Sequence, residues 1–242
     1  MRIGAITIGQ SPQPDLLDEI ITPEFKGVEF IEAGALDGLV APQIAALAPR
    51  RGEAGLVTRL RDGSTVTVSE ALLAPLVEQC LRRLEDAGAE ATMLLCTASF
   101  RSLAAKRPFF RPYHLVRAVV EAVLTQGTLA VVVPDESQRE SALAAWRLPG
   151  KEVISAALPP YEPSREYFTA LLAVLHQCQP GLVVLDCMGY NGATQEQLTK
   201  ALRLPVVSPR MVLAAVLAAF VAASPQSPHR GAAASKRQGG RK

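Results

Sequence analysis

The sequence predicts an α/β protein made of two parallel three- or four-stranded units, each closing on a cysteine. Three observations point there. The runs 91–96 and 181–187 are short, apolar and bounded by turn residues, the pattern of strands buried on both faces. Each follows a stretch of helical period and stops in small or polar residues. The alternation of strand and helix runs along the chain twice, with a crossover between the halves.

The elements follow in order. Arg2 to Ile8 is a buried first strand, and Gly9 to Asp15 is a Gly/Pro-rich loop opening a helix. Val28 to Ala33 is the second strand; Asp37-Gly38-Leu39 turns into a short helix through Ile44 and Leu47. Val57 to Leu60 and Thr65 to Val68 flank an Asp-Gly turn and predict a β-hairpin extending an otherwise parallel sheet. From Ser69 a helix places Leu72, Leu73, Leu76, Val77, Cys80, Leu81 and Leu84 on one face, so Cys80 reads as core. Gly88 ends it, and the strand to Cys96 follows.

Arg101 to Pro112 is a basic connection, with Arg101, Lys106, Arg107 and Arg111 around Phe109 and Phe110; it reads as a solvated crossover, with the alternative that it brings a cation near a substrate carboxylate. Tyr113 to Gln126 is a helix, Thr128 to Val133 a strand, Glu136 to Trp146 a helix, and Val153 to Ala156 a strand. Pro163 to Gln177 is a helix with Phe168, Leu171, Leu172 and Leu175 inward, and Cys178 just beyond it. The strand to Cys187, a helix from Thr194 to Leu202, a short strand near Val206 and a last helix from Pro209 complete the order. The run Met211 to Ala223 is too short to span a bilayer. Ser224 to Lys242 is polar and basic and is expected to be a disordered tail.

Composition narrows the function. The chain has 242 residues, 49% of them hydrophobic, enough for a large core, and a net charge of +2 with much of the excess in the tail. This gives no fold-wide case for nucleic-acid binding. The four cysteines form no CxxC pair, and the first residues enter a strand directly, so free thiols in a reducing cytoplasm are expected. The three histidines lack ligand spacing to any cysteine, so no metal is expected. A GxSxG elbow for serine hydrolysis is absent.

Cys96 and Cys187 are the candidate catalytic residues. In parallel sheets ligands bind beyond the carboxyl ends of strands, where both thiols fall. A thiolate is a base and nucleophile. Two thiols on opposite faces of one carbon invert it without a cofactor: one removes the α-proton, the other returns a proton to the far face. The carbanion needs hydrogen-bond donors. Thr97, Ser99, Gly189, Tyr190 and Asn191 supply them after the two thiols, and Gly9, Gln10 and Ser11 supply more from the first loop. Asp186, one residue from Cys187, points to the other side and is expected to cap the following turn. A single buried cysteine is more often inert core than catalytic; two at equivalent strand ends shift that balance.

The segments Thr7-Ile8-Gly9-Gln10-Ser11-Pro12, Leu94-Leu95-Cys96-Thr97-Ala98-Ser99, Val131-Val132-Val133-Pro134 and Leu185-Asp186-Cys187-Met188-Gly189-Tyr190 resemble AroM-like proteins over Arg2 to Val221. AroM-like proteins look like members of the aspartate/glutamate/hydantoin racemase superfamily. That resemblance implies two pseudo-symmetric flavodoxin-like lobes, an active-site cleft between them and a catalytic thiol from each. The lobes are then 1–112 with the returning last helix 208–223, and 113–207. The activity expected is cofactor-independent racemisation, epimerisation or isomerisation of a small carboxylate or amino-acid-like substrate. One alternative is a cysteine-dependent decarboxylase or cis–trans isomerase of a small dicarboxylate. Another is a ligand-binding regulatory protein without turnover. No cofactor, nucleic acid or membrane partner is expected; a homo-oligomer is compatible.

Overall fold

The computed structural model describes residues 1–224 apart from 54, 101 and 162. The expected tail beyond Ser224 and the predicted crossover's Arg101 lie outside the described residues. The first sheet holds β1 (Arg2–Thr7), β2 (Glu29–Gly34), β5 (Ala91–Leu94) and β6 (Phe109–Phe110) in the order β2-β1-β5-β6. The second holds β7 (Thr128–Val133), β8 (Glu152–Ala157), β9 (Leu182–Leu185) and β10 (Val206–Val207) in the order β8-β7-β9-β10. Every pairing within both sheets is parallel. The two lobes therefore have the same strand order, and β5 corresponds to β9.

Period-two alternation divides each sheet into two cores. In the first, Ile6 and Leu94 pack on α3 (Glu70–Asp86) through Leu73, Val77, Leu81 and Leu84. Ile3, Ala5, Ala91 and Met93 face α1 (Pro14–Leu17) and α8 (Pro209–Ala223), which contributes Leu213, Leu217 and Val221. In the second, Leu129, Val131, Leu182 and Val184 meet α4 (Pro112–Val123) and α5 (Arg139–Ala145), with Trp146 just after α5. Ala130, Val132, Val183 and Leu185 meet α6 (Arg165–Cys178) and α7 (Gly192–Leu202). Cys80 is buried in the first of these cores. A short helix α2 (Ala41–Ala45) lies outside the first sheet. Among the described residues no helix is long and apolar enough to cross a membrane.

Three expectations are corrected. The hairpin of β3 (Gly55–Arg59) and β4 (Thr65–Ser69) forms, with Gly63 at a positive φ of 86° in its turn, but it is a separate antiparallel sheet. Its free backbone groups meet loops instead of a strand: the Arg59 carbonyl accepts from the Gln10 amide, and the Gly55 carbonyl from the Gln138 side chain. The hairpin thus belongs to the first lobe's chain and reaches a second-lobe residue. The basic crossover contains β6, which two phenylalanines place beside β5 in parallel register. Cys178 is the last residue of α6, not a residue beyond it.

Candidate active site

Cys96 and Cys187 stand at the same offset past β5 and β9, one in each lobe. Each sulfur accepts a hydrogen bond from the amide two residues on: Ala98 N–H to Cys96 at 3.3 Å and Gly189 N–H to Cys187 at 3.2 Å. Both sulfur-bearing residues line one cavity of about 200 Å³ between the lobes. Both also line a smaller cavity of about 30 Å³, walled by Gln13, Thr58, Arg59, Tyr161 and Gly189. The residue after one thiol is tied to the residue before the other, because the Thr97 hydroxyl donates to the Asp186 carbonyl oxygen at 3.0 Å.

Burial raises the pKa of both thiols. Burial pushes Cys187 up to about 11, with the neighbouring Asp186 carboxyl adding to the rise; the Gly189 amide and the Arg210 guanidinium oppose it. Burial pushes Cys96 up further, against the Ala98 amide, and Cys187 adds to the rise. Arg210 is 3% exposed. Its guanidinium donates to the carbonyl oxygens of Met188 at 2.6 Å and Gly189 at 3.3 Å, and pairs with Glu19 at 3.0 Å. It therefore fixes the loop whose amide faces Cys187. The sequence carried a signal for it, as the one charged residue in the otherwise apolar segment 209–223.

The other predicted residues separate into two groups. Thr97 lines both thiol cavities, Ser99 the larger and Gly189 the smaller. Gly9, Gln10 and Ser11 do not reach them. The hairpin covers this loop and its donors are used within the first lobe: Gly9 N–H donates to Thr7 Oγ1, Gln10 N–H to the Arg59 carbonyl, and Ser11 N–H and Oγ–H to the Asp37 carboxylate. Tyr190 is fully buried in the second lobe's core, and its hydroxyl donates to the Leu158 carbonyl at 2.6 Å. Asn191 caps α7, its side-chain oxygen accepting from Thr194 N–H at 2.9 Å. It lines a third cavity, with Asp15, Glu19 and Arg210, that neither cysteine touches.

Asp186 does not cap the turn after β9. Alternation sends it to the α5 face with Leu182 and Val184, where its Oδ2 accepts from the Trp146 indole N–H at 2.7 Å. The Asp186 residue also lines the larger thiol cavity. Burial raises its carboxyl from 3.8 to about 6, against the hydrogen bond from the Trp146 indole. Sequence reasoning missed Arg59 and Tyr161 altogether. Arg59 lies 4.8 Å over the Tyr161 ring and pairs with Asp15. Tyr161 follows the β8 strand end, so the strand-end rule had a place for it; the hairpin's seat over the cleft had no sequence signal.

Residues 3–221 match the AroM protein family. The chain belongs to the AroM family. No curated protein matches at the sequence level. Among solved structures, this AroM chain is similar to unliganded arylmalonate decarboxylase (15% identity, TM-score 0.60, covering 95% of this chain and 96% of that one). It is similar to the aspartate racemase of Picrophilus torridus (13% identity, TM-score 0.61, covering 91% and 94%). It is also similar to the glutamate racemase of Francisella tularensis subsp. tularensis SCHU S4 in complex with D-glutamate (16% identity, TM-score 0.60, covering 90% and 80%). At these identities the likeness is one of fold: the AroM chain shares the two-lobed α/β architecture of these racemase and decarboxylase structures.

Proposed function

We propose that this AroM-family protein is a cofactor-independent racemase, epimerase or isomerase of a small carboxylate or amino-acid-like substrate, with Cys96 and Cys187 as its acid/base pair. The observation that carries this reading is the shared cavity, lined by a thiol from the equivalent strand end of each lobe. A thiolate on one side takes the α-proton, and the thiol on the other gives its proton to the resulting carbanion. The amides of Ala98 and Gly189 favour the thiolate whenever it forms. Ser99, which lines this cavity, is the proposed hydroxyl donor to a substrate carboxylate, while the Thr97 hydroxyl is held by the Asp186 carbonyl. The fold's occurrence in racemases supports the same reading.

The test is deuterium exchange. The protein is incubated in D2O with a panel of amino, hydroxy and dicarboxylic acids, and the α-carbon is followed by NMR. Incorporation of deuterium with inversion is the expected result. Binding without exchange by any compound overturns the reading.

A second reading is favoured by the protonation of the thiols and the apolar walls of the cavity, which include Ile8, Leu56, Val57 and Val133. A neutral thiol beside a carbanion serves cysteine-dependent decarboxylation of a small dicarboxylate, and an apolar wall destabilises the carboxylate that leaves. Release of carbon dioxide coupled to deuterium uptake separates it from racemisation.

A further inference from the structure

The peptide unit between Met188 and Gly189 is bonded on both sides. Its N–H donates to Cys187 Sγ at 3.2 Å. Its carbonyl oxygen accepts from Arg210 Nε at 2.6 Å. A cation and a sulfur are thus joined through one peptide group, by two hydrogen bonds in series. A guanidinium on the carbonyl polarises the amide and makes its N–H a stronger donor, as in any hydrogen-bond chain in a low-dielectric interior. A thiolate gains more from that donor than a thiol does, because the bond is then charge-assisted.

Arg210 is buried and is itself held from both lobes. Nη1 donates to the Asp15 carbonyl at 2.9 Å and pairs with Glu19 at 3.0 Å, both in the first lobe. Nη2 donates to the Gly189 carbonyl at 3.3 Å, in the second. Glu19 also accepts from the Gly192 amide at 3.0 Å. The ionisable groups around Cys187 are Asp186 and Tyr190 on its own segment, Cys96 across the cavity, Tyr161 beyond β8, Arg59 on the hairpin and Arg210 on α8, with Glu70 and Tyr113 elsewhere in the larger cavity. Of these, the two arginines are the cations. Arg59 is paired with Asp15 on the hairpin side, whereas Arg210 bonds the very peptide that faces the sulfur.

We infer that Arg210 is a positioning residue for the thiol chemistry: acting through the Met188–Gly189 peptide, it fixes the Gly189 N–H on Cys187 Sγ and favours the thiolate of Cys187 over its thiol. This role rests on the reading of Cys187 as an acid/base group. The direct attraction between guanidinium and thiolate acts in the same direction. Glu19 opposes both effects, because its carboxylate offsets the charge of Arg210.

The experiment titrates the cysteines by NMR, with 13C at Cβ, from about pH 8 to about pH 12 at low salt, the range of thiol ionisation. Asp186, at about 6, is ionised throughout. Wild type is compared with Arg210→Gln and Glu19→Gln, and the Cys187 resonance is assigned with Cys187→Ser. In Arg210→Gln the Cys187 midpoint should rise by about one unit, the scale of a hydrogen bond to a charged group. In Glu19→Gln it should fall, by less, because Glu19 is partly exposed and screened. Glutamine at 19 keeps an acceptor for the Gly192 amide. The core Cys80 should titrate alike in all three, which reports an intact first lobe. Loosened packing alone would move Cys187 the same way in both variants; opposite shifts mark the charge. If Arg210→Gln fails to fold, Glu19→Gln decides by itself. An unchanged or lowered midpoint in folded Arg210→Gln, or an unchanged or raised one in Glu19→Gln, overturns the inference. Wild-type deuterium exchange with unmoved midpoints leaves the racemase reading standing and removes this one. Opposite shifts without exchange on any acid do the reverse.

Discussion

The Thr97 hydroxyl donates a hydrogen bond to the Asp186 carbonyl oxygen, 3.0 Å away and 89 residues along the chain. This contact joins the strand ends that carry the two thiols. Thr97→Val removes the donor and keeps the shape. It should lower stability by about 1 kcal/mol in denaturant melts. It should also reduce deuterium exchange beyond what its stability loss accounts for, while Thr97→Ser retains both.

Each thiol serves one face of the substrate in the proposed reaction. Cys96→Ser and Cys187→Ser should each cut racemisation by about 10²–10⁴-fold, the range of a positioned acid or base. Solvent exchange should become specific to one enantiomer in each variant, and to opposite enantiomers in the two. Full racemisation by either variant removes the two-base mechanism. If decarboxylation is the reaction, one variant loses activity and the other keeps most of it.

The Asp186 carboxyl has a folded value of about 6 against 3.8 in its ordinary state. Because burial raises it, the folded protein holds this proton more tightly than the unfolded chain. The stability it contributes is fully present below about pH 4 and is lost as pH rises through about 6, a difference of about 3 kcal/mol. Asp186→Asn escapes that loss. Its Tm relative to wild type should rise across this window and level off above it; a gap independent of pH would contradict the assignment. Trp146 is the single tryptophan of the chain and is bonded to this carboxyl. Its fluorescence should titrate with a midpoint about 6 in wild type and stay flat in the variant.

Gly9 holds the hairpin over the cleft. A Cβ built there would lie 2.1 Å from the Arg59 carbonyl oxygen and 2.6 Å from Thr58 Oγ1. Gly9→Ala should therefore push β3 outward and cost about 1–3 kcal/mol, as overpacking does. Since Thr58 and Arg59 wall the smaller thiol cavity, ligand affinity should fall as well. Gly63→Ala, with open space around its Cβ but a positive φ, should lower stability without touching the cleft.

The sequence by itself determined the strands other than β6, most of the helical faces and the offset of Cys96 and Cys187 past their strands. These follow from alternation, helical period and turn residues, all local in the chain. It also marked Cys80 as core, because a residue on a helix's apolar stripe has one place to go. What only the tertiary structure decided was where side chains end up once two lobes and a hairpin meet. Gly9, Gln10 and Ser11 read as substrate donors, yet Asp37, Arg59 and Thr7, all outside that loop, take up their hydrogen bonds. Tyr190 read as a ligand contact, yet the Leu158 carbonyl claims its hydroxyl inside the core. Asp186 read as a turn cap, yet α5 brings Trp146 to it from 40 residues away. Apart from the Gly9 amide, which turns back to Thr7 two residues away, the physical reason is common: a polar group's partner is chosen by long-range packing, and no local pattern records which donor or acceptor will arrive first.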